Sequence, residues 1–210
     1  MINRASFLRG AIAALALTVA GVATPALAAP KAKAKADPVT HVYFIRGFLN
    51  VFSTGFDAMA VKLKARGVKS SVYGHLSGSS VRAQILADMK KTGKKPKPIV
   101  IVGHSFGGNA AFEVAKSLAK DGVPVDLVIT VDPTRGGPIS PNVKRYVNYY
   151  FPANGLGASI PASAGKRARN IDLKARTDVA GVGDDHWTVT HNAALEKEIL
   201  GAIYKQVGRR

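Results

Sequence analysis

From about residue 39 onward the chain alternates two kinds of hydrophobic pattern. Short β-branched and aromatic runs, bounded by glycine, proline or polar residues, predict strands at 41–46 (HVYFIR), 68–73, 98–103 (PIVIVG) and 127–131 (LVITV). Two more mixed runs, 145–151 (RYVNYYF) and 168–173 (ARNIDL), predict a further pair. Between them apolar residues recur at helical spacing. Phe56, Met59, Ala60 and Leu63 share one face of a helix over 54–66, which Gly67 ends. Val81, Ile85, Leu86 and Met89 follow Ser79 or Ser80 as a cap, and Ala110, Ala111, Val114, Ala115 and Leu118 form a third stripe. Leu195, Ile199, Ile203 and Val207 make a last helix, capped by Asn192.

The unbroken apolar run at 98–103 predicts a central strand buried on both faces. Strand–helix alternation of this kind predicts a three-layer α/β fold, with a mostly parallel sheet of about six strands and helices on both faces. The Gly-, Ala-, Ser- and Pro-rich stretch 152–165 reads as a long loop.

The first 38 residues fit none of this. Arg4 and Arg9 precede an apolar stretch from Ala11 to Val22, and Ala26-Leu27-Ala28 is a small-residue cleavage pattern, so 1–28 reads as a signal peptide cut near Ala28. Residues 29–38 alternate lysine with alanine and end in proline, a solvated linker, which leaves 39–210 as the folded domain. The expectation is an exported protein, periplasmic or secreted; the absence of cysteine fits one that does not lean on disulfides. A formal net charge of +17 adds an anionic envelope surface as a candidate partner. The basic residues are not interleaved with aromatics, so no specific nucleic-acid partner is expected. The histidines lack zinc-ligand spacing and there is no Gly-rich phosphate or dinucleotide loop, so no metal and no cofactor are expected.

The chemistry concentrates at Gly103-His104-Ser105-Phe106-Gly107-Gly108, a G-x-S-x-G sequence joining the most buried strand to a helix. A nucleophile on such a strained turn points its hydroxyl out of the sheet, small neighbours leave it accessible, and the helix aims its first N–H groups at the reacting centre. GHSFGG and the order of elements from Val39 to Val207 resemble the α/β-hydrolase superfamily, in particular its compact lipase-like and thioesterase-like members. The resemblance implies an α/β-hydrolase fold without a large cap domain, Ser105 as nucleophile, and the chain order nucleophile, acid, histidine.

A serine hydroxyl needs a base downstream. His186 lies between the last strand and the last helix, where the family places its catalytic histidine; His191, at the start of that helix, is the alternative. Most of the family carries the acid after the strand at 145–151, but Pro152-Ala153-Asn154 holds no carboxylate. Asp132, at the end of the preceding strand, is the acid expected here, with Asp172, Asp178, Asp184 and Asp185 as alternatives. The resemblance assigns the oxyanion hole to the Phe106 N–H and, from Arg46-Gly47-Phe48-Leu49, to the Phe48 N–H. Arg46 replaces a histidine common in the family and is either a contact for an anionic substrate group or a surface arginine at a strand end; His104, inside the elbow where the family often has a histidine with a packing role, is a second candidate contact.

These parts predict a serine hydrolase that cleaves carboxylic esters through an acyl-enzyme intermediate. An acyl thioesterase is one alternative. A non-catalytic protein of the same fold that binds an anionic surface or polymer is the other.

Overall fold

The computed structural model describes residues 41–93, 98–152 and 156–208. The signal peptide and linker expected over 1–38 lie outside them. Six strands pair, all in parallel: β1 (His41–Ile45), β2 (Lys69–Tyr73), β3 (Ile99–His104), β4 (Leu127–Val131), β5 (Tyr146–Tyr150) and β6 (Ala168–Asp172). Their order across the sheet is β2-β1-β3-β4-β5-β6. The direction of winding reverses between β1 and β3, so the carboxyl ends of those strands frame the crevice where α/β sheets build their sites.

Four helices flank the sheet: α1 (Gly55–Ala65), α2 (Gly78–Thr92), α3 (Phe106–Lys120) and α4 (Ala193–Val207). The unbroken apolar run of β3 serves both faces. Val100 and Val102 pack with Phe56, Met59 and Leu63 of α1 and Leu195, Ile199 and Ile203 of α4. Ile99 and Ile101 pack with Val81 and Ile85 of α2 and Phe112 and Leu118 of α3. Each such aliphatic side chain, fully removed from water, contributes about 1.5–3 kcal/mol of transfer free energy. The edge strands β2 and β6 are half-exposed, which explains their weaker hydrophobic signature.

Two local details bear on the sequence reading. The Leu195 N–H donates to Asn192 Oδ1 (2.9 Å), so Asn192 caps α4 as expected. α2, however, starts at Gly78, ahead of the expected caps Ser79 and Ser80. A turn closed by the Ser77 N–H on Gly74 O (2.9 Å) runs straight into the helix, and the Val81 N–H already bonds Ser77 O (3.0 Å).

β5 looked mixed because of Asn148, which is wholly buried. Its Oδ1 accepts from Thr130 Oγ1 (2.7 Å), and its Nδ2 donates to Ala158 O (2.9 Å) and Asn170 Oδ1 (2.9 Å). Asn170 in turn brackets Ile160, donating to its carbonyl (2.8 Å) and accepting from its N–H (2.9 Å). The buried Asn148 amide, satisfied in this way, and the exposed Asn170 together clamp the loop after β5 onto the sheet. Among the described residues, the path from Asp132 to His186 holds two strands, 3-10 turns and loops, with no large cap.

Candidate active site

β3 delivers the chain to Ser105, whose backbone sits at φ 55°, ψ −125° before α3 begins at Phe106. That left-handed conformation is costly for a residue with a Cβ and persists only where packing enforces it. Here the packing is tight enough to exclude side chains. A Cβ on Gly103 would lie 2.2 Å from Gly107 O, and one on Gly107 would lie 2.1 Å from Ile45 O. The glycines of the motif thus let the first turn of α3 press against β3 and the end of β1.

Asp132 follows β4 and also has a positive φ, 46°. Its Oδ1 accepts from the Phe151 N–H (2.8 Å) and its Oδ2 from His186 Nδ1 (2.6 Å). His186 Nε2 faces Ser105 Oγ at 3.0 Å. A carboxylate only accepts, so His186 carries its proton on Nδ1 and offers the Nε2 lone pair to the serine hydroxyl. The three side chains are nearly closed off, with exposures of 4% for Ser105, 0% for Asp132 and 4% for His186. This is an arrangement that can take a proton from Ser105 and stabilise the imidazolium that results.

The strand at 145–151, whose end lacks the family's usual carboxylate, still serves the site. It supplies the Phe151 N–H that fixes the carboxylate of the preceding strand. Gly157 completes that seat: a Cβ there would fall 1.8 Å from Asp132 Oδ1. The Asn148–Asn170 clamp brings Gly157 to this place, together with the Ala158 N–H bond to Pro133 O (2.7 Å).

The alternative residues are occupied elsewhere. His191 Nε2 meets Thr54 Oγ1 at 3.1 Å. Asp172 closes a turn on the Lys174 N–H (2.8 Å), and Asp178 pairs with Arg176 (2.6 Å). Asp184 accepts from Asn192 Nδ2 (2.7 Å), and Asp185 accepts the Trp187 N–H (2.8 Å), shaping the turn that carries His186.

Phe48 opens a 3-10 turn (Phe48–Asn50) beside the nucleophile. A Cβ on Gly47 would stand 3.0 Å from Ser105 Cβ, so this loop lies directly against the elbow. Among the described residues the Phe48 and Phe106 N–H groups have no backbone partner outside their own helices. Their side chains stand 6.0 Å apart between ring centroids, half-exposed, with His75 about equally near both.

The two candidate substrate contacts are placed differently from the sequence expectation. The Arg46 guanidinium turns onto Asp57 of α1 and the Asn50 carbonyl (3.5 Å), so its charge is already matched. His104 is 1% exposed and lies behind the elbow, its ring 5.0 Å from that of His186. Burial, then the neighbouring His186, pushes its pKa down to about 4, so it is neutral near pH 7.

Two depressions flank the site. One of about 260 Å³ is lined by His186, Phe151, Pro152 and Lys174. A larger groove of about 660 Å³ starts at Phe106 and runs along α3 past Ala110 and Val114, with Leu76 and Arg135 on its walls. Ser105 lines neither, but its chain neighbour Phe106 opens the larger. Exposed apolar side chains crowd this end of the fold: Phe48, Leu49, Phe52, Leu76, Phe106 and Trp187.

Sequence reasoning missed Ser53, Gly157, Asn148 and Asn170. Asn148 carried a signal, a polar residue inside an otherwise aromatic strand; the others carried none.

Residues 57–141 match the thioesterase domain family, a span that includes Ser105 and Asp132 and stops short of His186. No curated protein matches the chain. Among solved structures, the esterase domain of a Rhodothermus marinus protein is 18% identical, with 82% of this chain and 88% of that one covered at a TM-score of 0.52. A putative hydrolase of the α/β superfamily from Xanthomonas campestris pv. campestris is 18% identical, covering 80% and 98% at a TM-score of 0.44. YbtT, the type II thioesterase of the yersiniabactin pathway, is 11% identical, covering 82% and 94% at 0.47. The chain thus has an α/β-hydrolase fold, shared with the R. marinus domain, and its segment across the elbow is similar to the thioesterase domain family.

Proposed function

We propose that this protein is an acyl hydrolase of the serine type that cleaves acyl thioesters, with carboxylic esters of the same acyl group as poorer substrates. The observation that carries the reading is the thioesterase match over 57–141, spanning a serine and an aspartate that one histidine bridges at 3.0 and 2.6 Å. It favours the acyl thioesterase alternative over the carboxylic ester expected first from the sequence.

In this reading Ser105 Oγ attacks the carbonyl carbon while His186 Nε2 takes its proton. Asp132 stabilises the imidazolium without itself being protonated. The Phe48 and Phe106 N–H groups receive the oxyanion, an interaction whose loss typically costs about 3–4 kcal/mol per donor. Collapse expels the thiolate, which His186 protonates, and leaves an acyl ester on Ser105. Water, activated by the same Nε2, then releases the acid. The apolar rim suits an aliphatic acyl chain, and the groove along α3 adds Arg82, Glu113 and Arg135 for a polar or charged part of the substrate.

Retention of a complete serine–histidine–aspartate hydrogen-bonded chain favours an enzyme over a binding protein that has lost the chemistry. The proposal includes export, with loss of residues 1–28, on the strength of their sequence pattern alone. It also includes attraction to anionic envelope surfaces, on the strength of a net charge that is still +15 once Arg4 and Arg9 are lost (17 − 2).

The test compares kcat/KM for decanoyl-N-acetylcysteamine and its oxygen ester, with wild type and Ser105→Ala. The reading expects the thioester to be favoured and Ser105→Ala to be inert on both. Preference for the oxygen ester restores the carboxylesterase reading. Turnover that survives in Ser105→Ala sinks the mechanism.

A further inference from the structure

His104 takes no part in the steps above, yet it is buried at the centre of a hydrogen-bonded chain whose direction can be worked out. Its Nε2 lies 2.9 Å from the His186 carbonyl oxygen. A carbonyl only accepts, so Nε2 carries the proton and donates. The neutral ring then has a lone pair on Nδ1, which faces Ser53 Oγ at 2.8 Å, so the Ser53 hydroxyl donates to it. Ser53 Oγ in turn accepts the Gly47 N–H at 2.9 Å. Ser53 and His104 are 0% and 1% exposed, so water does not compete for any of these bonds.

The chain has consequential ends. One is the main chain of His186, the proposed base. The other is the peptide between Arg46 and Gly47, immediately before the Phe48 N–H. With the Gly47 N–H committed to Ser53, the next N–H in the loop, that of Phe48, is left for an oxyanion. The loop needs such a restraint: Leu49 and Asn50 both have positive φ, 55° and 62°, a conformation unfavourable for side chains of this kind.

Resting on the function proposed above, we propose that His104 and Ser53 are positioning residues. They form a relay that holds the loop of Gly47 and Phe48 in register with the backbone of His186, so that the oxyanion donor and the base keep a fixed separation. Neutral imidazole suits the place, since it presents a donor and an acceptor on opposite edges of one rigid ring. Neither residue touches the substrate. Their effect is on the transition state, because the oxyanion forms only there.

The experiment measures two rates in wild type, Ser53→Ala, His104→Gln and the double variant. The first is the second-order rate of fluorophosphonate labelling at Ser105, which draws on the oxyanion hole and needs no knowledge of the substrate. The second is kcat and KM on the decanoyl thioester. His104→Gln can keep a donor for the His186 carbonyl while losing the Nδ1 acceptor. The relay predicts that each single variant slows labelling and kcat by roughly 10- to 100-fold, with KM within about twofold of wild type. The double variant should be no slower than the worse single, since both cut one chain. Ser53→Thr, which restores the hydroxyl, should recover most of the rate. Wild-type rates in Ser53→Ala and His104→Gln overturn the relay. So does a loss of kcat and KM together that follows a fall in Tm, because that marks a purely structural role. A wild-type protein that takes up no probe overturns the reading of Ser105 itself, and the relay with it.

Discussion

Acid should destabilise this protein through one identifiable side chain. In the native state His104 stays unprotonated down to about pH 4, against an ordinary value of 6.5. The cause is its burial, reinforced by His186. An unfolded chain takes up that proton near 6.5, so between 6.5 and 4 the unfolded state binds more protons than the native one. The contribution is therefore complete above pH 6.5 and drains away as pH falls towards 4. At 1.36 kcal/mol per pKa unit the full effect is about 3 kcal/mol, and for a chain of this size that is roughly 6–12 °C in Tm. The assay is urea denaturation from pH 7.5 to 4 in wild type and His104→Gln. Groups remote from position 104 titrate in both proteins and cancel in the difference. His104→Gln should be the less stable at pH 7 and should lose its disadvantage progressively on acidification. A stability difference that does not change across this window would refute the idea that a buried neutral imidazole sits at position 104.

Asp132→Asn should leave the fold intact but hold His186 in the wrong tautomer, lowering kcat by on the order of 10³- to 10⁴-fold with little change in KM, as steady-state kinetics would read. Gly157→Ala should push Asp132 or its loop aside, since the new Cβ starts 1.8 Å from Oδ1. A loss of about 1–3 kcal/mol in denaturant unfolding is expected, with kcat falling more than KM. Ser105→Gly should abolish turnover and yet raise stability by about 1 kcal/mol in the same unfolding assay, because glycine adopts φ 55° without strain.

Much of the architecture was legible because burial on two faces leaves a plain mark. The runs at 98–103 and 127–131 became the central strands, and the stripes at 81–89 and 110–118 became helices packed on one side of them. Ser105 could be found because the close approach of β3, α3 and β1 admits only glycine at 103 and 107. Asp132 could be inferred from what was missing after β5, but its seat could not. That seat is made by a backbone N–H at Phe151 and by the space at Gly157, and neither is a side-chain chemistry that a sequence displays. Arg46 read as a candidate contact for an anionic substrate group because its partner, Asp57, sits eleven residues away on a helix whose rotation the sequence did not specify. His104 read as a contact because it adjoins the nucleophile; alternation along β3 does not reveal that its ring lies behind the site. Ser53 gave no signal at all, being one small polar residue in a loop whose other side chains are mostly apolar, Phe48, Leu49, Val51 and Phe52 among them.

The most direct test of the central claim is to look for the acyl group on Ser105. Wild-type protein is mixed with excess decanoyl thioester, quenched in acid within milliseconds to seconds, digested, and read by peptide mass. A peptide containing Ser105 that gains the mass of the decanoyl group early, and loses it as substrate runs out, is the predicted result. Turnover with that peptide unmodified at every time point would contradict the acyl-enzyme mechanism, whatever the geometry around the serine.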